Sequence, residues 1–143
     1  MRLRISFLTR RLMASPTALQ RMAIAFVGAA IVLVAWMVYL GETLHNQATF
    51  TAGNWGRVWI GLDTMEALAL AALGVCLVRR DHRARTAATV AATLFAMDAW
   101  FDVLLSQGGS DFVQALVLAV LFEIPLALCC AGIARQAARW YDL

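Results

Sequence analysis

Five carboxylic acids stand inside stretches that are otherwise apolar: Asp63, Glu66, Asp98, Asp102 and Glu123. Asp63 and Glu66 are three residues apart and Asp98 and Asp102 four, spacings that put each pair on one face of a helix. Two carboxylates about 6 Å apart repel by about 3 kcal/mol at an effective dielectric constant of about 20. Such a group is neutralised by protons, by a metal ion on oxygen ligands, or by an organic amine. Trp59 and Trp100 lie within about a turn of the acids and offer an aromatic face to an ammonium group. Tryptophan also serves commonly as an anchor at the membrane interface. Glu123-Ile124-Pro125 sets an acid beside a helix breaker. The proline frees a backbone carbonyl near position 121 and is expected to kink the helix there.

The elements that must hold these acids are membrane spans. Of 143 residues, 62% are hydrophobic and only 15% charged, and the mean hydropathy is +0.73. Soluble domains are nearer half apolar and about a quarter charged, which excludes a water-soluble globule. A bilayer core of about 30 Å takes about 20 helical residues, and four runs qualify: 22–41, 58–78, 86–106 and 112–134. None alternates polar with apolar residues, so a β-barrel is excluded. The expected fold is an all-α membrane protein, a four-helix transmembrane bundle running up-down-up-down over residues 15–143. Ser15-Pro16 supplies a helix start, with serine as cap and proline in the first turn. Residues 1–14 mix arginines with Leu3, Ile5, Phe7, Leu8 and Leu12, and read as a basic amphipathic segment on anionic lipid or as a basic tail. The long segment before the first span, and the lack of an A-x-A site after it, predict that this span is retained rather than cleaved.

All twelve basic residues are arginine. Five precede the first span (Arg2, Arg4, Arg10, Arg11, Arg21), four lie between the second and third (Arg79, Arg80, Arg83, Arg85), and two follow the fourth (Arg135, Arg139). Only Arg57 falls on the other side. This asymmetry predicts both termini in the cytoplasm and an inner (plasma) membrane location. Because the arginines lie in blocks between spans, the pI of about 9.1 reports topology and not a nucleic-acid partner. Trp36, Tyr39, Trp55, Trp59 and Trp100 then mark the outer interface, and Trp140 and Tyr141 the inner one. The outer loop is read over 41–56, and Gln107-Gly108-Gly109-Ser110 as a tight helix–helix connection.

In this orientation Asp63 and Glu66 lie about 9 and 13 Å below the outer edge, Asp102 and Asp98 about 6 and 12 Å, and Glu123 about 18 Å. The second and third spans are joined by a short loop and should be adjacent. Four acids then share one outward-facing pocket, with Glu123 at its floor. An ionised acid facing lipid would cost about 2.5–3.5 kcal/mol, and no basic residue except Arg57 is near that depth. The competing structural reading has the acids bonding Thr64, Thr93 or opened backbone. Interhelical polar contacts average only about 0.6 kcal/mol, which makes five acids a weak glue. Ala88, Ala92 and Ala96 have the small-residue spacing of a close helix contact. Cys76, Cys129 and Cys130 form neither a CxxC pair nor a Cys/His zinc set, and read as small apolar fillers.

The leading functional reading is an outward-facing carboxylate pocket that binds or passes a cation: a proton, a metal ion or an organic amine. The first alternative is a non-catalytic accessory subunit of a larger membrane complex, whose arginines would meet the acids. The second is an intramembrane metal-dependent enzyme. That would need a nucleophile or histidine ligand by the acids, where only His45 is at hand, so no catalytic residue and no cofactor is assigned. The partners expected are the lipid bilayer, a cationic ligand or proton, and further copies of the chain or a larger membrane complex. Asp98-Ala-Trp-Phe-Asp102 has the DxxxD half of a membrane phosphotransferase metal site, but the DxxDG half is absent. The stretches Trp59-Ile60-Gly61-Leu62-Asp63, Met97 to Val103, Glu123-Ile124-Pro125-Leu126-Ala127 and Cys130 to Arg135 resemble a family of small four-helix integral membrane proteins of high-GC actinomycetes. The resemblance covers about residues 15–139. It implies a four-helix inner-membrane protein and no particular activity.

Overall fold

The structure, a computed structural model, describes residues 16–46 and 55–138. The segment expected at 1–14 lies outside them, as do Trp140 and Tyr141. Among the described residues the chain forms helix α1 (Pro16–Asn46), α2 (Trp55–Arg79), α3 (Ala84–Leu105) and a fourth helix in three parts. These parts are α4 (Ser110–Leu118), a π-helical segment (Ala119–Glu123) and α5 (Ile124–Ala138). All four helices are long and apolar enough to cross a membrane. Each contains its expected apolar run, the third to within one residue at its C-terminal end. Helix α1 starts on Pro16, where a missing N–H costs nothing because first-turn donors have no partner within the helix. It continues through residues 42–46, which the sequence assigned to the outer loop. Neither proline nor glycine follows Gly41 in that stretch, so nothing in it stops the helix. Residues 47–54 lie outside the described residues.

Each helix packs chiefly on its sequence neighbour: α1 on α2, α2 on α3, and α3 on the fourth helix. Helix α2 is the most enclosed, with Leu70, Leu73 and Leu77 among the most buried side chains. Helix α1 carries no acid within the apolar run and meets α2 over small residues. A Cβ added at Gly74 would lie 3.0 Å from Val27 Cγ2 and 3.2 Å from the Ala23 carbonyl oxygen. In lipid, which is as apolar as the side chains, such close approach is what holds helices together. Gly74→Val is therefore expected to destabilise the protein by about 1–3 kcal/mol through overpacking. Thermal unfolding in detergent reads this. Gly28→Ala, where an added Cβ meets nothing within 4 Å, serves as the control and should not lower the midpoint, since alanine is the better helix former.

The seam of α3 differs from the one expected. Its buried residues are Ala84, Ala88, Ala91, Phe95, Asp98 and Ala99, whereas Ala92 is half-buried and Ala96 exposed. A strict four-residue step drifts around a helix of 3.6 residues per turn, so the row Ala88-Ala92-Ala96 leaves the seam as it climbs. The true seam alternates steps of three and four, and that alternation carries Asp98 into the interior.

Two short turns bring α2, α3 and the fourth helix side by side. After α2, Arg80 adopts a left-handed conformation (φ 52°). The Arg80 N–H donates to the Leu77 carbonyl at 3.3 Å and the Asp81 N–H to the Cys76 carbonyl at 2.9 Å. This is the Schellman pattern, usually built on glycine. The Asp81 carboxylate accepts from the Arg83 N–H at 2.9 Å and faces His82 Nδ1 at 3.1 Å. After α3, Gly108 and Gly109 take positive φ of 91° and 62°, and the Asp111 carboxylate accepts from the Gln107 N–H at 2.8 Å.

Candidate functional site: a buried carboxylate cluster

Helix α2 supplies Asp63 and Glu66, α3 supplies Asp98 and Asp102, and the π-helical segment supplies Glu123. The helices draw them into two overlapping groups. Carboxylate oxygens of Asp63, Glu66 and Asp98 lie within 4.8 Å of one another, and so do those of Asp98, Asp102 and Glu123. Asp98 belongs to both. Asp63, Asp98 and Glu123 are buried and Asp102 half-buried, while Glu66 is 0% exposed. All five candidate acids are thus brought together, in the interior between helices rather than along an open surface.

Glu123 reaches this interior through an irregularity in its helix. Pro125 has no N–H to donate to the carbonyl of Leu121, and its ring crowds that carbonyl. The chain responds by widening: the Ile124 N–H donates to the Ala119 carbonyl, five residues back instead of four. A π-helical turn of this kind is uncommon and tends to mark functional positions. The sequence predicted a kink near position 121; the irregularity found there is a π-helical widening.

Hydrogen bonding separates a structural role from a chemical one. Thr64 donates to the Ile60 carbonyl at 2.6 Å and approaches Met37 Sδ at 3.3 Å, and Thr93 donates to the Thr89 carbonyl at 3.0 Å. Both hydroxyls are spent on their own surroundings and not on the acids. Four buried side-chain oxygens among the described residues have no hydrogen-bond partner: Glu66 Oε1 and Oε2, Asp98 Oδ1 and Glu123 Oε2. All four belong to the cluster. Leaving a buried polar atom unpaired costs about 1–3 kcal/mol. Among the described residues no arginine forms an ion pair with any of the five.

The tryptophans are placed differently from the acids. Trp100 is 64% exposed. It lies two residues from both Asp98 and Asp102, on the opposite side of α3, where it lines a groove of about 620 Å³ with Thr89, Phe101, Ala131 and Arg135. The acids do not line that groove. Trp59 is half-buried, one turn before Asp63 and on its side of α2. Of the cysteines, Cys130 is buried, Cys76 half-buried and Cys129 exposed. Sequence reasoning did not foresee the unpaired oxygens or the sharing of Asp98. The signal that came nearest was the coincidence of depth between the acids of two adjacent spans.

No family model matches the chain, and neither does a curated protein or a solved structure.

Proposed function

We propose that this multi-pass membrane protein binds a cation on Asp63, Glu66, Asp98, Asp102 and Glu123, and holds it or passes it through the outer half of the membrane. The observation that carries this reading is the set of unpaired buried oxygens, all of them in the cluster. A cation satisfies them and relieves the repulsion together, which no side chain within the cluster does. Oxygen ligands alone suit a hard ion or a proton. Trp59, one turn from Asp63, is the aromatic residue available to an organic amine; Trp100, turned outward, supports that variant less.

The orientation belongs to the same proposal: four helices running up-down-up-down in the inner (plasma) membrane, with both termini cytoplasmic. The eleven-to-one arginine asymmetry supports it. Single cysteines at Gln47 and Ser110, in a background with the native cysteines replaced, should react with an impermeant maleimide in intact cells. Cysteines at Ala84 and Leu143 should stay protected. Labelling at Ala84 with protection at Ser110 would invert the topology and turn the cluster toward the cytoplasm.

The binding reading is tested by a thermal-shift screen of divalent ions, polyamines and lipophilic amines, since a ligand held only by the folded state stabilises it by mass action. At least one class should raise the midpoint of the parent protein. If none does so in an acid-dependent way, the accessory-subunit reading moves ahead.

A further inference from the structure

Resting on the cation-binding reading, we infer that the cluster holds two divalent cations side by side, bridged by the Asp98 carboxylate. One ion is bound by Asp63, Glu66 and Asp98, the other by Asp98, Asp102 and Glu123.

The geometry points to two positions because the acids form two groups and not one. Each group offers three oxygens within 4.8 Å of one another, and only Asp98 is common to both. Ligands on opposite sides of an ion with bonds of about 2.3–2.6 Å lie about 4.6–5.2 Å apart, so each group has the span of one coordination sphere. A carboxylate has two oxygens and can serve two ions, as in paired-metal sites with ions about 3.5–4 Å apart. Asp98 is the residue in that position.

The unpaired atoms are divided in the same way. Glu66 Oε1 and Oε2 belong to the first group, Glu123 Oε2 to the second, and Asp98 Oδ1 to the residue between. Glu66 is wholly enclosed, with neither oxygen satisfied. One ion in either group would leave an orphaned oxygen in the other. Charge agrees with the count: five ionised carboxylates carry five negative charges, of which one divalent ion leaves three uncompensated and two leave one. Neither group contains histidine or cysteine, so the ions are of the hard, oxygen-seeking class rather than zinc or copper.

Manganese(II) is the probe, because it takes oxygen ligands and is paramagnetic. The full chain, purified in detergent, is titrated with Mn²⁺ while bound metal is counted by equilibrium dialysis and followed by electron paramagnetic resonance. Two Mn²⁺ per chain are expected, with the six-line signal of the isolated ion lost as the second binds and the pair couples magnetically. Glu66→Gln and Glu123→Gln should each leave one uncoupled ion, and Asp98→Asn should lose the coupled signal. Saturation at one Mn²⁺ per chain, or two ions that stay uncoupled, overturns the bridged pair while the single-cation reading stands. No bound Mn²⁺ and no acid-dependent stabilisation by any cation overturns both. The measurement on the parent protein decides even where a variant fails to fold.

Discussion

Glu66→Gln combined with Asp98→Asn is expected to make the cation-free protein more stable than its parent, and to abolish stabilisation by cations. The amides match the carboxyls closely in size, so packing is kept while two of the five charges are removed from the interior. Two charges about 4 Å apart interact with about 4 kcal/mol at an effective dielectric constant of about 20, so relief on this scale is expected in the presence of a chelator at alkaline pH, where the carboxyls are ionised. The parent gains about 2.7 kcal/mol at a cation concentration of 100 times its dissociation constant, and the double variant gains nothing. The lead of the variant in chelator therefore narrows by that amount as the cation is added. Acids serving only as structural bonds would give the opposite pattern, with the variant less stable under both conditions.

The second large effect is expected at Pro125. Pro125→Ala restores an N–H that can donate to the Leu121 carbonyl and removes a ring clash, together worth about 3 kcal/mol in a helix interior. With its cause gone, the π-helical segment should tighten to an ordinary helix. Removing one inserted residue turns one side of the helix against the other by about 100°, which takes Glu123 away from Asp98 and Asp102. The variant should unfold at a higher temperature without cation and lose most of its cation-dependent gain. Thermal unfolding with and without the stabilising ion reads both. Retention of the full gain would show that the widened turn does not position Glu123.

The parts of the fold that could be read in the sequence are those set by sums over many residues. Hydropathy summed over about 20 residues located each span, because the bilayer imposes a length that no tertiary contact overrides. The gathering of the acids was legible for a related reason: spacings of three and four fix a face, and a burial cost of several kcal/mol forces that face inward. What the sequence concealed depends on single contacts. The angular separation of Trp100 from Asp98 and Asp102 was present in the two-residue spacing, because nearness along the chain is not nearness around the helix. The drift of the Ala88-Ala92-Ala96 row away from the seam follows from the helical period, but that the buried row runs through Ala91 and Phe95 shows only in the folded chain. Pro125 announced a disturbance, expected as a kink, and the form it takes is a widened turn. Arg80 in a left-handed turn carried no signal, since that place is usually marked by glycine. The spending of the Thr64 and Thr93 hydroxyls on their own helices, which removes the main structural explanation of the acids, could be seen only with the side chains placed.

The most direct measurement observes the carboxylates themselves. Infrared difference spectra of the purified protein, recorded as a divalent cation is added, report the carboxylate stretching bands that shift when oxygen binds metal. The expected result is a saturable shift that diminishes in Glu66→Gln and in Glu123→Gln and vanishes when Asp98→Asn is combined with Glu66→Gln. A spectrum unchanged by divalent ions, by protons and by organic amines alike would contradict a cation site at the cluster.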